Sequence, residues 1–165
     1  IQGRPNHKEV PYAAWRVAEG YVKQRPSDSL IMPPAHERDR GPTRDALRAL
    51  KSYLERFPQG EHVKEARRYQ RECRATLAAY ELYVARFYRR QDNTQAAIGR
   101  YEVVVSAFED VPELWREGAE ELLALYQAES QPEAAEKLKA RLQAPTSVEA
   151  VKPAPSAEEP SSDKK

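Results

Sequence analysis

The chain has 165 residues, of which 40% are hydrophobic and 32% charged, and its formal net charge is +1. This length can bury one sizeable core, and no stretch approaches the roughly 18 to 20 apolar residues that cross a bilayer. Basic residues outnumber acidic ones in residues 1–100, and acidic residues outnumber basic ones in residues 101–143. This distribution is atypical of nucleic-acid binders, and it favours a scaffold with protein partners.

The first predicted helix starts at Pro11, because proline favours the first turn of a helix. Pro26 requires it to end near Gln24. Its apolar residues recur at steps of three and four: Tyr12, Trp15, Ala18, Tyr21 and Val22. Residues 26–42 then carry four prolines and no period. They predict a long connecting loop that folds back over the first hairpin, and connections of this length are usually functional or disordered.

A second helix is predicted to begin with Thr43 as its cap and to end at Pro58-Gln59-Gly60. Neither glycine nor proline occurs from Glu61 to Gln91. This segment predicts one continuous helix of about 29 residues, close to 43 Å long at 1.5 Å per residue. Its predicted apolar face consists of Val63, Ala66, Tyr69, Cys73, Leu77, Tyr80, Val84 and Phe87.

Three further helices are predicted to start at Asn93 or Thr94, at Pro112 and at Pro132. Residues 1–143 therefore predict one helical domain. Residues 144–165 are rich in Pro, Ala, Ser, Glu and Lys, and we expect them to be a disordered tail because they cannot bury enough apolar surface to become ordered.

The apolar pattern repeats along the chain. Ala46, Leu50, Leu54 and Phe57 match Ala97, Tyr101, Val105 and Phe108 at a constant shift, and Val17, Ala18 and Tyr21 match Val84, Ala85 and Tyr88 at a longer one. The two shifts differ because the first hairpin contains additional residues, and these residues lie in the loop 26–42. Helical hairpins that cannot bury their apolar faces alone must stack on their neighbours. We therefore predict an all-α, tetratricopeptide-like α-solenoid of stacked helical hairpins with one long helix, in preference to a simple helical bundle.

Candidate residues for catalysis or metal binding are scarce. His7, His36 and His62 lie far apart without a ligand partner at helical spacing, and the single cysteine, Cys73, lies on a predicted apolar face. The six glycines are isolated, so no glycine-rich phosphate loop is present. We expect no catalytic residues, no metal and no cofactor, and hence a protein that is not an enzyme.

Four arginines flank the polar corner Gln91-Asp92-Asn93-Thr94: Arg86, Arg89, Arg90 and Arg100. They are either ordinary solvated side chains or a docking patch, since arginine makes bidentate pairs with carboxylates. Arg100 lies three residues after Ala97 and one before Tyr101. At about 100° per residue, it should point off the buried face and stand free to reach a partner.

Two segments, ERDRGPTRDALRALKSYLERFP and ECRATLAAYELYVARFYRRQDNTQAAIGRYEVVV, resemble the C-terminal half of the BamD (YfiO) family, tetratricopeptide lipoproteins of the bacterial β-barrel assembly machine. The resemblance covers about residues 9–143. It implies an adaptor at the periplasmic face of the outer membrane that docks to the POTRA domains of a BamA-like barrel subunit. It also implies contact with accessory lipoproteins and unfolded outer-membrane proteins. Arg100, in AAIGRYE, matches the family arginine that contacts the POTRA domain nearest the barrel.

Members of this family carry their lipid on an N-terminal cysteine, whereas Cys73 lies within a predicted helix. We therefore expect this chain to be the C-terminal portion of a longer protein, in which that lipid makes the only membrane contact. Another periplasmic tetratricopeptide adaptor, of the type that coordinates peptidoglycan synthesis with the Tol system, is the alternative. A cytosolic cochaperone of the tetratricopeptide type is a third candidate. It needs a set of Lys, Asn and Arg side chains that binds two carboxylates, and we do not find such a set in the sequence.

Deleting residues 145–165 should leave the thermal unfolding midpoint unchanged within error, because a tail without a packed apolar face contributes nothing to the fold. Circular dichroism melting of the full and shortened chains measures this. A longer deletion that starts at Pro132 is the control, and it should lower the midpoint because it also removes Leu138 and Leu142. A large loss with the shorter deletion would show that the tail packs on the helices.

Overall fold

The computed structural model describes residues 7–25 and 39–144. These residues form six helices and no strand: α1 (Val10–Lys23), α2 (Gly41–Arg56), α3 (Val63–Arg90), α4 (Thr94–Ala107), α5 (Pro112–Ala128) and α6 (Pro132–Gln143). Each helix packs against the next one along the chain, and α5 also contacts α3. The prediction of an all-α, tetratricopeptide-like array of helical hairpins with one long helix is confirmed. Most of the predicted loop 26–42, and the tail beyond Ala144, lie outside the described residues.

The long helix α3 is shared by two hydrophobic cores. It runs without interruption for 28 residues, a length of about 42 Å. Its N-terminal half joins a core made by Trp15, Ala18, Val22, Ala46, Leu50, Tyr53, Ala66 and Cys73. Its C-terminal half joins a second core, whose buried side chains include Leu82, Ile98, Tyr101, Val104, Trp115, Leu122 and Tyr126. The relative position of the two cores therefore depends on the continuity of α3.

The helices α2 and α4 are equivalent positions of the repeat. Ala46 and Ala97 are both completely buried, which lets each helix approach its neighbour closely. Phe57 and Phe108 follow the two helices, and the N–H of each donates to the carbonyl four residues earlier, at 2.9 and 3.1 Å. The two segments that the sequence matched therefore share a buried alanine and the same hydrogen bond at the end of the helix.

The turn between α3 and α4 is tightly bonded. Asp92 has a φ of 54°, in the left-handed region, and the N–H of Asn93 donates to the Tyr88 carbonyl at 3.0 Å, which closes the end of α3. The Asn93 side chain then accepts a hydrogen bond from the N–H of Ala96 at 3.2 Å and caps α4, which begins at Thr94, one of the two predicted starts. Ser130, at the same place in the turn after α5, has the same φ. Two hairpins of the array thus share one turn geometry.

The predicted cap of α2 is wrong. The helix begins at Gly41, Arg40 occupies the cap position without a capping hydrogen bond, and Thr43 lies buried within the first turn. Pro42 provides the physical reason, because proline is stable in the first turn of a helix and so places the start ahead of Thr43.

The predicted apolar face of α3 is correct only in its N-terminal half. Ala66 and Cys73 are buried as expected, but Phe87 is 44% exposed. Beyond Leu77 the buried positions are Ala78, Glu81, Leu82 and Ala85. The two cores lie on different sides of α3, so in its C-terminal half the buried face is not the one that its large apolar residues predicted. In α1 similarly, Trp15, Ala18 and Val22 are buried whereas Tyr12 and Tyr21 are exposed.

A glycine brings α5 close to the helices before it. A Cβ built on Gly118 would lie 2.8 Å from Cγ1 of Val104 and 3.1 Å from Cδ2 of Leu82. Both distances are shorter than ordinary van der Waals contact. The side chain at this position is therefore limited to a hydrogen atom, and α5 can contact α3 and α4 together.

A proline at Ala75, near the middle of α3, should destabilise the chain by about 3 kcal/mol or more, because it removes a helical hydrogen bond and clashes with the preceding turn. Chemical unfolding followed by circular dichroism measures the loss. An unchanged free energy of unfolding would contradict a continuous α3.

The matched control is Thr94→Pro, at the first residue of α4. Asn93 before it has a ψ of 72°, close to the 73° and 71° of the residues that precede Pro112 and Pro132 at the starts of α5 and α6. The backbone there already has the conformation that a following proline requires. We expect this variant to unfold within about 1 kcal/mol of the parent chain, because the first N–H of a helix has no partner to lose.

Candidate functional site

A buried carboxylate on α3 joins two distant arginines. Glu81 is 8% exposed. Its Oε1 accepts a hydrogen bond from Nη1 of Arg40 at 3.3 Å, and its Oε2 accepts one from Nη1 of Arg100 at 3.0 Å. The Arg40 guanidinium also lies over the Tyr80 ring, 3.8 Å from its centroid. We call Arg40, Tyr80, Glu81 and Arg100 the Glu81 cluster.

The Glu81 cluster connects the first and second halves of the array. Arg40 immediately precedes α2, Glu81 lies on α3 and Arg100 lies on α4. A carboxylate can remain ionised in a buried site only if cations and hydrogen bonds compensate for the lost water. Each of its two oxygens here has its own guanidinium donor. The Arg100 side chain is still 41% exposed, so part of it remains open to solvent.

A second group of charges ties α3, α4 and α5 together. Arg86 donates through Nε to Oε1 of Glu121 at 3.0 Å and also pairs with Glu117, while Arg89 donates to Oε2 of Glu121 at 3.1 Å. The hydroxyl of Tyr101, a completely buried residue, donates to the same carboxylate. We call these residues the Glu121 cluster.

The Glu121 cluster changes the acidity of its members. Burial raises the pKa of Glu121, but hydrogen bonds from Arg86 and Tyr101 and the charges of Arg86 and Arg89 outweigh it, so the pKa lies below its ordinary value. Burial and the hydrogen bond to Glu121 raise the pKa of Tyr101, and the hydrogen bond to Glu121 raises that of Arg86. The cluster therefore favours an ionised Glu121 between a charged Arg86 and a protonated Tyr101.

The four arginines predicted from the sequence do not form one patch. Arg86 and Arg89 converge on Glu121, whereas Arg100 pairs with Glu81. Positions 81 and 86 are five steps apart along the helix, which places the two clusters about 140° apart around α3. Arg90 is exposed and has no ion pair with any residue in the ranges 7–25 and 39–144.

Arg100 meets one half of its expectation. It points away from the buried face of α4, since 41% of its side chain is exposed, but it does not stand free, because it pairs with Glu81 on α3. Glu81 was not among the predicted residues, because the apolar periodicity placed the buried face of this half of α3 on Tyr80 and Val84. The repeat carried the missing signal, since its match of Ala18 with Ala85 marks the face that includes Ala78, Glu81 and Ala85.

Cys73 is a buried residue of the first core. The residue is completely buried, and its Sγ accepts a hydrogen bond from Nη1 of Arg25 at 3.2 Å. Burial raises the pKa of the thiol above its ordinary value, although Arg25 acts in the opposite direction. In the described part of the chain, no three or more His, Cys, Asp or Glu side chains are grouped so that they could hold a metal ion. None of the helices described combines the length and the apolar surface that crossing a membrane requires.

Replacing Glu121 by Gln should reduce the free energy of unfolding by about 1–3 kcal/mol at pH 7, since it leaves hydrogen-bonded arginines without their charged partner. The pKa of Glu121 is lower in the folded chain than its ordinary value. Its contribution to the free energy of unfolding is therefore complete above the pKa of the unfolded chain, and it is lost as the pH falls through the pKa of the folded chain. The gap between the parent chain and the variant should therefore shrink on acidification, as urea unfolding at several pH values would measure. Glu120→Gln is the matched control, because Glu120 is exposed on the same helix. A gap independent of pH would contradict the assigned role.

The comparisons with known proteins agree on one family. A family model described as "YfiO: Outer membrane lipoprotein" matches residues 1–142. The "Outer membrane protein assembly factor BamD" of Caulobacter vibrioides is 35% identical over 68 residues, which are 41% of this chain and 22% of that relative. The protein of the same name from Vibrio cholerae is 31% identical over 107 residues, 65% of this chain and 44% of the relative. The aligned part of the chain thus spans less than half of either relative. The chain belongs to the YfiO family of outer membrane lipoproteins.

Proposed function

We propose that this chain is the scaffold part of a non-enzymatic adaptor that helps to assemble β-barrel proteins in the bacterial outer membrane, at its periplasmic face. Membership of an outer membrane lipoprotein family supports the location, and the names of both relatives support the process. The helical array supports the adaptor role, because stacked hairpins present extended surfaces to partners. Of the two periplasmic adaptor roles considered from the sequence, both relatives favour this one over coordination with the Tol system.

The observation that carries the docking proposal is the half-exposed position of Arg100. Its Nη1 is held by Glu81, while 41% of the side chain faces solvent. Among the described residues it has no second carboxylate partner. An arginine presents five N–H donors in a planar fork, so this half-exposed side chain can also pair with a carboxylate of another protein. We propose that this partner is a periplasmic POTRA domain of a BamA-like barrel subunit.

The other predicted arginines have different roles in this proposal. Arg90 is exposed and Arg89 is 49% exposed with one pair to Glu121, so both can add charge to the docking surface. Arg86 is held by both Glu117 and Glu121, and its part is to fix α5 against α3. Accessory lipoproteins and unfolded outer-membrane proteins are the further partners that an adaptor of this kind would contact.

Replacing Arg100 by Gln should weaken binding to the purified POTRA domains by roughly 2–5 kcal/mol if the pair is desolvated, because the partner carboxylate is then left without its cation. Arg100→Glu should bind more weakly still, because it sets like charges against each other. Isothermal titration calorimetry measures the affinities, with circular dichroism melting as the test that each variant is folded.

Arg116→Gln is the matched control for total charge. Arg116 is an exposed arginine of α5 without an ion pair in the described part of the chain, and its loss should leave the affinity unchanged. A Lys introduced on the partner in place of the paired carboxylate should restore binding of Arg100→Glu. Equal affinities for the parent chain and Arg100→Glu would exclude Arg100 from the docking surface.

A further inference from the structure

Docking through Arg100 creates an electrostatic problem within this chain. Arg100 already donates to Glu81, and Glu81 is 8% exposed. If a partner carboxylate draws Arg100 outward, the hydrogen bond to Glu81 is weakened or lost. A buried carboxylate that loses its only cation is strongly destabilised. If Arg100 were the only cation of Glu81, docking would therefore be opposed by the cost of leaving this carboxylate unpaired.

The second arginine of the Glu81 cluster removes this problem. Arg40 binds Oε1 of Glu81, whereas Arg100 binds Oε2. The two guanidinium groups therefore occupy different oxygens and do not exclude each other. When Arg100 turns toward a partner, Glu81 still has a cation and a hydrogen-bond donor.

The surroundings of Arg40 hold it against Glu81. Its guanidinium stacks on the Tyr80 ring at 3.8 Å from the centroid, and its side chain is 29% exposed against 41% for Arg100. Its backbone is held at the start of α2, where its carbonyl accepts a hydrogen bond from the N–H of Arg44 at 2.9 Å. A cation stacked on an aromatic ring and paired with a buried carboxylate is held from two sides.

We propose that Arg40 is a positioning residue for docking: it keeps Glu81 paired, so that Arg100 can engage a carboxylate of the partner. The proposal rests on the docking role of Arg100 and assigns a part in it to a residue that need not touch the partner.

The proposal predicts the direction of three substitutions. In Arg40→Gln, Glu81 depends on Arg100 alone, so binding to the POTRA domains should weaken roughly tenfold, as for directly coupled residues. Arg40→Lys keeps the charge but lacks the planar fork, so its affinity for the POTRA domains should lie between those of the parent chain and Arg40→Gln. In Arg40→Gln combined with Glu81→Gln, no buried charge retains Arg100, and affinity should return toward that of the parent chain.

The decisive experiment is a double-mutant cycle between positions 40 and 100, with binding of the full chain to the POTRA domains measured by calorimetry. Arg40→Gln should weaken binding in the parent background and have no further effect in Arg100→Gln. Arg48→Gln is the matched control, because Arg48 is an exposed arginine of α2 whose only described ion pair is with Asp45, three residues away. It should leave the affinity unchanged in both backgrounds.

The outcomes separate this proposal from the docking role itself. If Arg100→Gln binds as well as the parent chain, the docking role fails. If Arg100→Gln weakens binding but Arg40→Gln does not, the docking role stands and the positioning role is overturned. Equal weakening by Arg40→Gln in both backgrounds would also overturn it, because it would show an effect that does not pass through Arg100.

Discussion

The continuity of α3 is the constraint on which the rest of the described structure depends. One helix of 28 residues contributes to two separate cores, so its N-terminal half packs with α1 and α2 and its C-terminal half with α4 and α5. Hairpins that stack only on their neighbours can change their relative orientation through small adjustments at each contact. A shared helix removes that freedom between the two cores, because a change in their orientation would require bending about 42 Å of hydrogen-bonded backbone.

A buried carboxylate, Glu81, and a partly buried one, Glu121, mark the places where other helices meet α3. Glu81 accepts hydrogen bonds from residues at the start of α2 and on α4, and Glu121 of α5 accepts them from α3 and α4. Buried ion pairs contribute little net stability, but removing one partner is costly. A register that separated these groups would leave charges unpaired away from water. The two clusters therefore select one arrangement of the helices more strongly than they stabilise it.

The same chemistry separates arginines that hold the fold together from those that can reach a partner. Arg86 has two internal carboxylates, whereas Arg100 has one and a side chain that is 41% exposed. In our proposal Arg100 docks from α4, and because the backbone of α4 is already fixed by packing against α3 and α5, binding orders little more than a side chain. The relatives are named for assembly of outer membrane proteins, and an adaptor in such a process needs surfaces of this rigid kind. In our proposal, Arg40 lets a single carboxylate serve the fold and the docking site together.

Local chemistry in the sequence was sufficient to predict the helices, because helix-breaking residues, first-turn prolines and apolar periodicity act within a few residues of one another. The absence of Gly and Pro from Glu61 to Gln91 predicted α3, and the repeat predicted that α2 and α4 are equivalent. The arginines near the α3–α4 corner could also be named as candidates. Their partners could not, because Glu81 lies 41 positions from Arg40 and 19 from Arg100 along the chain. Only tertiary packing decided which side of α3 each core covers. That choice placed Glu81 inside the fold, left Phe87 outside it and divided the arginines between two carboxylates.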